Sequence, residues 1–114
     1  NSAKARKLQK AGVEIVRAKT KDGRIDLQTV IAELGRREIL SVLLEAGPTL
    51  NGAALATGIV DKLVLFYAPK IAGENRVPFA VAPRLKLPPL QNLLTREFGP
   101  DIAVEACLRN PFRD

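Results

Sequence analysis

The sequence contains no histidine, no tryptophan and no methionine, and it has one cysteine, Cys107. Without histidine, no imidazole is present to act as a base or to bind a metal near neutral pH. One cysteine alone does not provide a zinc site, so we expect no metal. A single cysteine also excludes a disulfide within the chain and suits a reducing compartment.

Aromatic residues and long apolar runs are also scarce. Four phenylalanines and one tyrosine are scattered along the chain, so no aromatic platform for stacking nucleic-acid bases is expected. No apolar run approaches the roughly 20 residues of a membrane span, and the first residues lack the apolar core of a signal peptide. The sequence therefore predicts a soluble, cytoplasmic protein with neither a membrane nor a nucleic acid as partner.

The 114 residues carry a net charge of +6, with 46% apolar and 26% charged residues. This composition predicts one modest globular domain with a single core. Most of the positive excess lies in the first 40 residues. It indicates either an anionic partner or a helix face that is simply solvated.

Local patterns predict helices and strands in alternation. Apolar spacing and capping residues such as Ser2 and Asp26 predict helices, and β-branched or continuous apolar runs predict strands. The expected helices cover residues 3–11, 27–37 and 50–57. The expected strands cover residues 13–17, 39–44 and 60–71, with a polar turn at residues 20–24.

This order predicts an α/β fold with parallel strands and right-handed crossovers. Residues 39–44 and 60–71 are apolar on both faces, which favours central strands. Residues 73–90 contain several prolines and are expected to be irregular. Two further strands, residues 91–98 and 102–109, are predicted to form an antiparallel hairpin. Because no strand precedes the first helix, we expect the later part of a larger sheet.

One stretch, residues 41–55, carries the main functional signal. An apolar run ends at Glu45, passes through Gly47-Pro48 and enters a helix of small residues. Free N–H groups at a helix start, together with the helix dipole, favour a phosphate group. Gly47 and Gly52 would let a ligand approach the backbone closely. They are alternatively a turn glycine and a helix-packing glycine.

Two pieces of this sequence together resemble a known family. They are residues 44–50, Leu-Glu-Ala-Gly-Pro-Thr-Leu, and residues 58–73, Gly-Ile-Val-Asp-Lys-Leu-Val-Leu-Phe-Tyr-Ala-Pro-Lys-Ile-Ala-Gly. The resemblance is to the reductase domain of the bacterial bifunctional riboflavin biosynthesis deaminase–reductase. It extends to residues 12–15 and 23–27 upstream and, loosely, to residues 98–102 downstream.

This resemblance implies a dihydrofolate-reductase-like fold and NADPH as the hydride donor. It also implies a phosphorylated pyrimidine substrate, the phosphoribosylaminopyrimidine intermediate of riboflavin synthesis, whose ribose becomes ribitol. Carried over by position, Glu45 would lie on the substrate side of the cofactor. The residues implied to hold the NADPH pyrophosphate and adjoining groups are Gly47, Pro48, Thr49, Leu50, Asn51, Gly52 and Ala53. Relatives pair as dimers, so a homodimer is expected.

In that family the reductase domain begins well upstream, and a zinc-binding deaminase domain precedes it. We therefore expect residues 1–114 to be the C-terminal portion of a reductase domain that is inactive alone. The catalytic residues and the substrate-phosphate contacts stay unassigned. Glu45 is alternatively a strand-end carboxylate that accepts hydrogen bonds from local N–H groups.

Several alternatives remain open at this stage. The chain is otherwise a non-catalytic nucleotide-binding or oligomerisation module, a related reductase with another substrate, or a basic nucleic-acid binder. A basic group formed by Lys4, Arg6 and Lys7 either reaches an adenosine 2′-phosphate or forms a solvated helix face. We expect Asp61 to pair locally, Lys70 to face solvent and Cys107 to be a small core residue.

Overall fold

A computed structural model describes residues 2–71, 73–74, 76–83 and 86–110. The chain forms two compact units that divide between Ile39 and Leu40. The first unit contains α1 (Ala3–Lys10), β1 (Thr20–Lys21), β2 (Arg24–Ile25) and α2 (Leu27–Arg36). The second contains α3 (Pro48–Ala56), β3 (Lys62–Tyr67), β4 (Gln91–Phe98) and β5 (Asp101–Cys107).

Local signals at the start of the first unit are confirmed. The Ser2 hydroxyl accepts a hydrogen bond from the Ala5 N–H at 3.2 Å and caps α1. The predicted turn is a hairpin in which β1 pairs with β2. Asp22 and Gly23 have φ angles of 52° and 73°, and these two positive values are what a two-residue type I′ turn requires.

The predicted strand over residues 13–17 is wrong. These residues form no strand, and the side chains of Val13 and Val16 are 45% and 46% exposed. β-Branched alternation favours a strand only where a neighbouring strand completes the ladder. Residues 13–17 carry the strand pattern without forming a strand.

The second helix, α2, begins where its sequence predicted. The Asp26 carboxylate accepts hydrogen bonds from the Gln28 N–H at 3.1 Å and from the Thr29 hydroxyl at 2.7 Å. Near the end of the helix, the Arg37 guanidinium pairs with Glu33 and with Glu14, both at 2.7 Å. Side-chain capping therefore closes the N-terminus of α2.

The cap makes the stability of α2 depend on pH. The Thr29 hydroxyl, together with the Gln28 N–H, holds the pKa of the Asp26 carboxyl below its ordinary value. A depressed pKa contributes stability above the unfolded-state pKa, and that stability is lost as pH falls through the folded-state pKa. We expect the urea midpoint of the wild type to fall more steeply below about pH 4 than that of Asp26→Asn. Asp22→Asn, an exposed turn change, serves as the control, and parallel curves for wild type and Asp26→Asn would refute the cap.

The hairpin predicted near the C-terminus is confirmed as β4 and β5. Phe98 pairs with Asp101, so Gly99-Pro100 forms a two-residue loop. The φ of Gly99 is 61°, and proline keeps φ near −65°. A positive and then a negative φ is the pattern of a type II′ turn, whose first position favours glycine.

The α/β class is confirmed, but the expected parallel pairing is not found among the described strands. The sheet of the second unit has the order β3-β5-β4, and both pairs are antiparallel. β3 is shorter than the predicted strand at residues 60–71 and lies at an edge of this sheet. The strand predicted over residues 39–44 is not formed, and Leu40 and Leu43 are 98% and 81% exposed. An apolar run becomes a central strand only when strands pair with it on both sides.

Buried apolar residues of the second unit are few. They are Ala54, Leu55, Ala103, Ala106 and Leu108. Large apolar side chains remain exposed, including Phe66 at 69% and Tyr67 at 55%. Within the described part of the chain, no helix combines the length and the hydropathy needed to cross a membrane.

Candidate functional site

The start of α3 is built by glycine and proline. Gly47 is the N-cap residue, in extended conformation, and it provides no side-chain cap. Pro48 occupies the first turn, where its missing N–H costs no intrahelical hydrogen bond. The N–H groups of Leu50 and Asn51 both donate to the Gly47 carbonyl oxygen at 3.1 Å. The first turn therefore keeps the Thr49 N–H and hydroxyl as its outer donors.

Burial divides the residues predicted to hold a cofactor into two groups. Gly47, Thr49 and Leu50 are exposed, and a Cβ added at Gly47 would meet no atom within 4 Å. Pro48 and Ala53 are half-buried. Asn51 and Gly52 are buried. The open side of the helix start therefore lies at residues 47–50. Glu45, expected on the substrate side, is exposed two residues before the N-cap.

The side-chain amide of Asn51 forms its hydrogen bonds within the protein. The Nδ2 group donates to the carbonyl oxygen of Ala46 at 3.0 Å and to that of Phe79 at 2.9 Å. The residue is only 8% exposed. Asn51 therefore joins the turn before α3 to a segment 28 residues later in the chain.

That later segment, residues 79–81, lies directly on α3. The Val81 N–H donates to the Pro48 carbonyl oxygen at 2.9 Å. A Cβ added at Gly52 would sit 2.0 Å from the Val81 carbonyl oxygen, so only glycine permits this approach. The close approach expected at Gly52 is thus made by backbone of the same chain, as a helix-packing glycine. Gly47 has no comparable close contact, because a Cβ added there would meet no atom within 4 Å.

Phe79 and Val81 are the residues that sequence reasoning missed. They lie in the proline-rich connection that was expected to be irregular, and the described residues of that connection, 73–74, 76–83 and 86–90, form no helix or strand. No side-chain pattern signals this contact, because the side chains of Phe79 and Val81 are 51% and 55% exposed and the segment contacts α3 through its backbone.

An open cavity of about 460 Å³ runs along β3. Its lining residues are Val64, Leu65, Phe66, Tyr67 and Phe79. Among the described strands β3 pairs with β5 alone, so its other edge is free. This edge offers apolar contacts together with backbone hydrogen-bonding groups.

Several charged residues of the sheet form ion pairs. Glu105 lies 3.4 Å from Lys62 and 3.5 Å from Arg96. Asp61 pairs with Arg109, 48 residues later in the chain, and not with a residue close to it in sequence as expected. Lys70 is exposed, as expected. Cys107 is half-buried on the central strand, β5.

Basic residues of α1 form a separate group. Lys4, Arg6 and Lys7 are all exposed, and the helix buries none of its residues. A solvated helix face accounts for this arrangement.

Comparison with known proteins relates this sequence to a family. A family model described as the RibD C-terminal domain matches residues 1–104. The riboflavin biosynthesis protein RibD of Escherichia coli (strain K12) is 36% identical over 86 residues, which are 72% of this chain and 23% of that protein. RibD of Actinobacillus pleuropneumoniae is 40% identical over 65 residues, 57% of this chain and 17% of that protein.

A third relative has a narrower name. The 5-amino-6-(5-phosphoribosylamino)uracil reductase of Buchnera aphidicola subsp. Acyrthosiphon pisum (strain APS) is 35% identical over 86 residues, which are 69% of this chain and 40% of that protein. The chain thus spans less than half the length of each of these three relatives. The match over residues 1–104 shows that the chain belongs to the RibD C-terminal domain family.

Proposed function

We propose that the chain is part of an NADPH-dependent reductase of riboflavin biosynthesis. Its substrate is 5-amino-6-(5-phosphoribosylamino)uracil, a phosphorylated pyrimidine whose ribose side chain is reduced to ribityl. Support comes from the family match and from the name of the Buchnera relative. The observation that carries the proposal for this chain is the open helix start at Gly47–Leu50, which lies inside the matched region.

The residues at this helix start fit a dinucleotide diphosphate. Gly47 leaves open space above the backbone, and Thr49 provides an N–H and a hydroxyl on the exposed side. The positive end of the helix dipole favours a negative group there. We assign Gly47, Pro48, Thr49 and Leu50 to the diphosphate and Ala53 to its border. Asn51 and Gly52, which are buried, support the site from the interior side of α3.

The chemistry needs positioning more than an acid or base from this chain. Bound NADPH supplies the hydride, and the protein orients its nicotinamide against the substrate. We assign to Glu45, which is exposed two residues before the N-cap of α3, the acceptance of a hydrogen bond from the substrate. No residue of the chain is assigned to the substrate phosphate.

The same proposal accounts for the apolar surface of the second unit. We assign residues 1–114 to the C-terminal portion of a dihydrofolate-reductase-like domain that is inactive alone. In the complete sheet, residues 40–44 lie as a parallel strand in the cavity along the free edge of β3. Leu40 and Leu43 are almost fully exposed, and that cavity is apolar. Burying such side chains is worth about 1.5–3 kcal/mol each.

We further propose a homodimer in the cytoplasm. All eight residues of β4 are exposed, and β4 lies at the second edge of the sheet. A long exposed edge strand favours pairing with another chain. The unpaired thiol of Cys107 suits a reducing compartment.

Titration of the chain with NADPH tests the proposal. We expect saturable binding that is tighter than for NADH, and substrate-dependent oxidation far slower than that of a full-length relative. Absence of saturable binding would refute the assignment of the cofactor site. Turnover at the rate of a full-length relative would instead refute the assignment as an inactive portion.

A further inference from the structure

We infer that Asn51 is a positioning residue for the diphosphate site and not a ligand of the cofactor. It holds the turn at residues 45–47 and residues 79–81 against α3, and so fixes the direction of the open helix start. This inference rests on the proposed function, because the site that it positions is the proposed site for NADPH.

The first step is the use of the amide itself. Both side-chain hydrogen bonds of Asn51 are donated by Nδ2, one to the Ala46 carbonyl oxygen and one to that of Phe79. An amide nitrogen has two donors, so no donor of this side chain is left for a phosphate oxygen. The remaining Oδ1 is an acceptor and would repel that group.

The second step is the position of the two acceptors. Ala46 directly precedes Gly47, the N-cap residue above which the open space lies. Phe79 begins the segment whose Val81 N–H donates to the Pro48 carbonyl oxygen. Asn51 therefore binds two segments, one ending at Ala46 and one beginning at Phe79, and both segments contact the first turn of α3.

The third step is the fit of the segment. Gly52 admits the Val81 carbonyl to a distance that no side chain would allow. Residues 79–81 are held by hydrogen bonds at both ends, through Phe79 and Val81, and by this close contact. Removing Asn51 leaves the carbonyl oxygens of Ala46 and Phe79, both in part-buried hydrogen bonds, without their donor, which loosens the turn and the segment together.

The test compares the wild type with Asn51→Asp, which keeps the shape but replaces the donor by an acceptor. Asn92→Asp makes the same chemical change at an exposed position of β4, where the φ of 51° suits aspartate as well as asparagine. The measurements are amide hydrogen exchange of Val81 and the affinities for NADPH and for inorganic pyrophosphate.

For Asn51→Asp we expect Val81 to exchange at least about tenfold faster and both ligands to bind about tenfold more weakly. Lowering the pH to about 5 should restore part of the affinity, because a buried carboxyl facing carbonyl oxygens protonates readily. Asn92→Asp should change none of these. Equal loss for NADPH and pyrophosphate is the signature of a positioned diphosphate site.

Other results would overturn the inference. Faster exchange at Val81 with unchanged affinity for NADPH would show that the segment does not position the site. Loss of affinity for NADPH but not for pyrophosphate would make Asn51 a direct ligand elsewhere on the cofactor. If the wild type binds neither ligand, the proposed function fails, whereas unchanged exchange at Val81 would refute the role of Asn51 by itself.

Discussion

Replacing Gly52 by alanine is expected to destabilise the protein by about 1–3 kcal/mol or more. The new Cβ would lie 2.0 Å from the Val81 carbonyl oxygen and 2.5 Å from its carbonyl carbon. Both are backbone atoms, so the overlap is relieved only by moving residues 79–81 away from α3. That movement breaks the hydrogen bond from the Val81 N–H to the Pro48 carbonyl oxygen. Urea unfolding of the two proteins measures the difference.

The chain provides a matched control in Gly35→Ala. Gly35 also lies within a helix, α2, but a Cβ added there would meet no atom within 4 Å. Alanine inside a helix is favoured over glycine by about 0.5–1 kcal/mol, so this variant should be more stable than the wild type. If both substitutions stabilise the protein equally, residues 79–81 do not pack on α3 in solution.

Replacing Thr49 by glutamate is expected to weaken NADPH binding by about 10- to 100-fold. The carboxylate would stand on the exposed side of the first turn of α3, where the diphosphate is proposed to lie. The glutamate carboxylate and the diphosphate are both negative and would repel each other there. The same charge interacts favourably with the helix N-terminus, by about 0.3–1 kcal/mol, so the loss of binding should come without a loss of stability.

Ala32→Glu is the control for this charge change. Ala32 is exposed on α2, in the other unit, and the variant should bind NADPH as the wild type does. Raising the salt concentration should narrow the difference between Thr49→Glu and the wild type, because salt screens exposed charges. Unchanged affinity of Thr49→Glu would place the cofactor away from this helix start.

Features with local causes could be predicted from the sequence. Ser2 and Asp26 cap helices through atoms two or three residues away, and Gly99-Pro100 turns a hairpin through its own φ angles. Pro48 likewise marks the start of α3. Each of these depends on a few neighbouring residues, so the residue types alone carry the information.

Features that depend on distant partners could not be predicted. Residues 13–17 and 39–44 have strand-like patterns, but a strand needs a neighbouring strand that its own residues do not specify. The order β3-β5-β4 depends on which edge the C-terminal hairpin joins. The helix start at residues 47–50 could be located in advance. The division between exposed and buried residues could not, because Phe79 and Val81 cause it.

The most direct test of the central claim is a titration with NADPH followed by backbone amide resonances. The claim is that the helix start at Gly47–Leu50 receives the diphosphate of the cofactor. We expect saturable shifts that are largest at Gly47 and Thr49. Saturable shifts confined to the basic helix α1, with residues 47–50 unmoved, would contradict the claim.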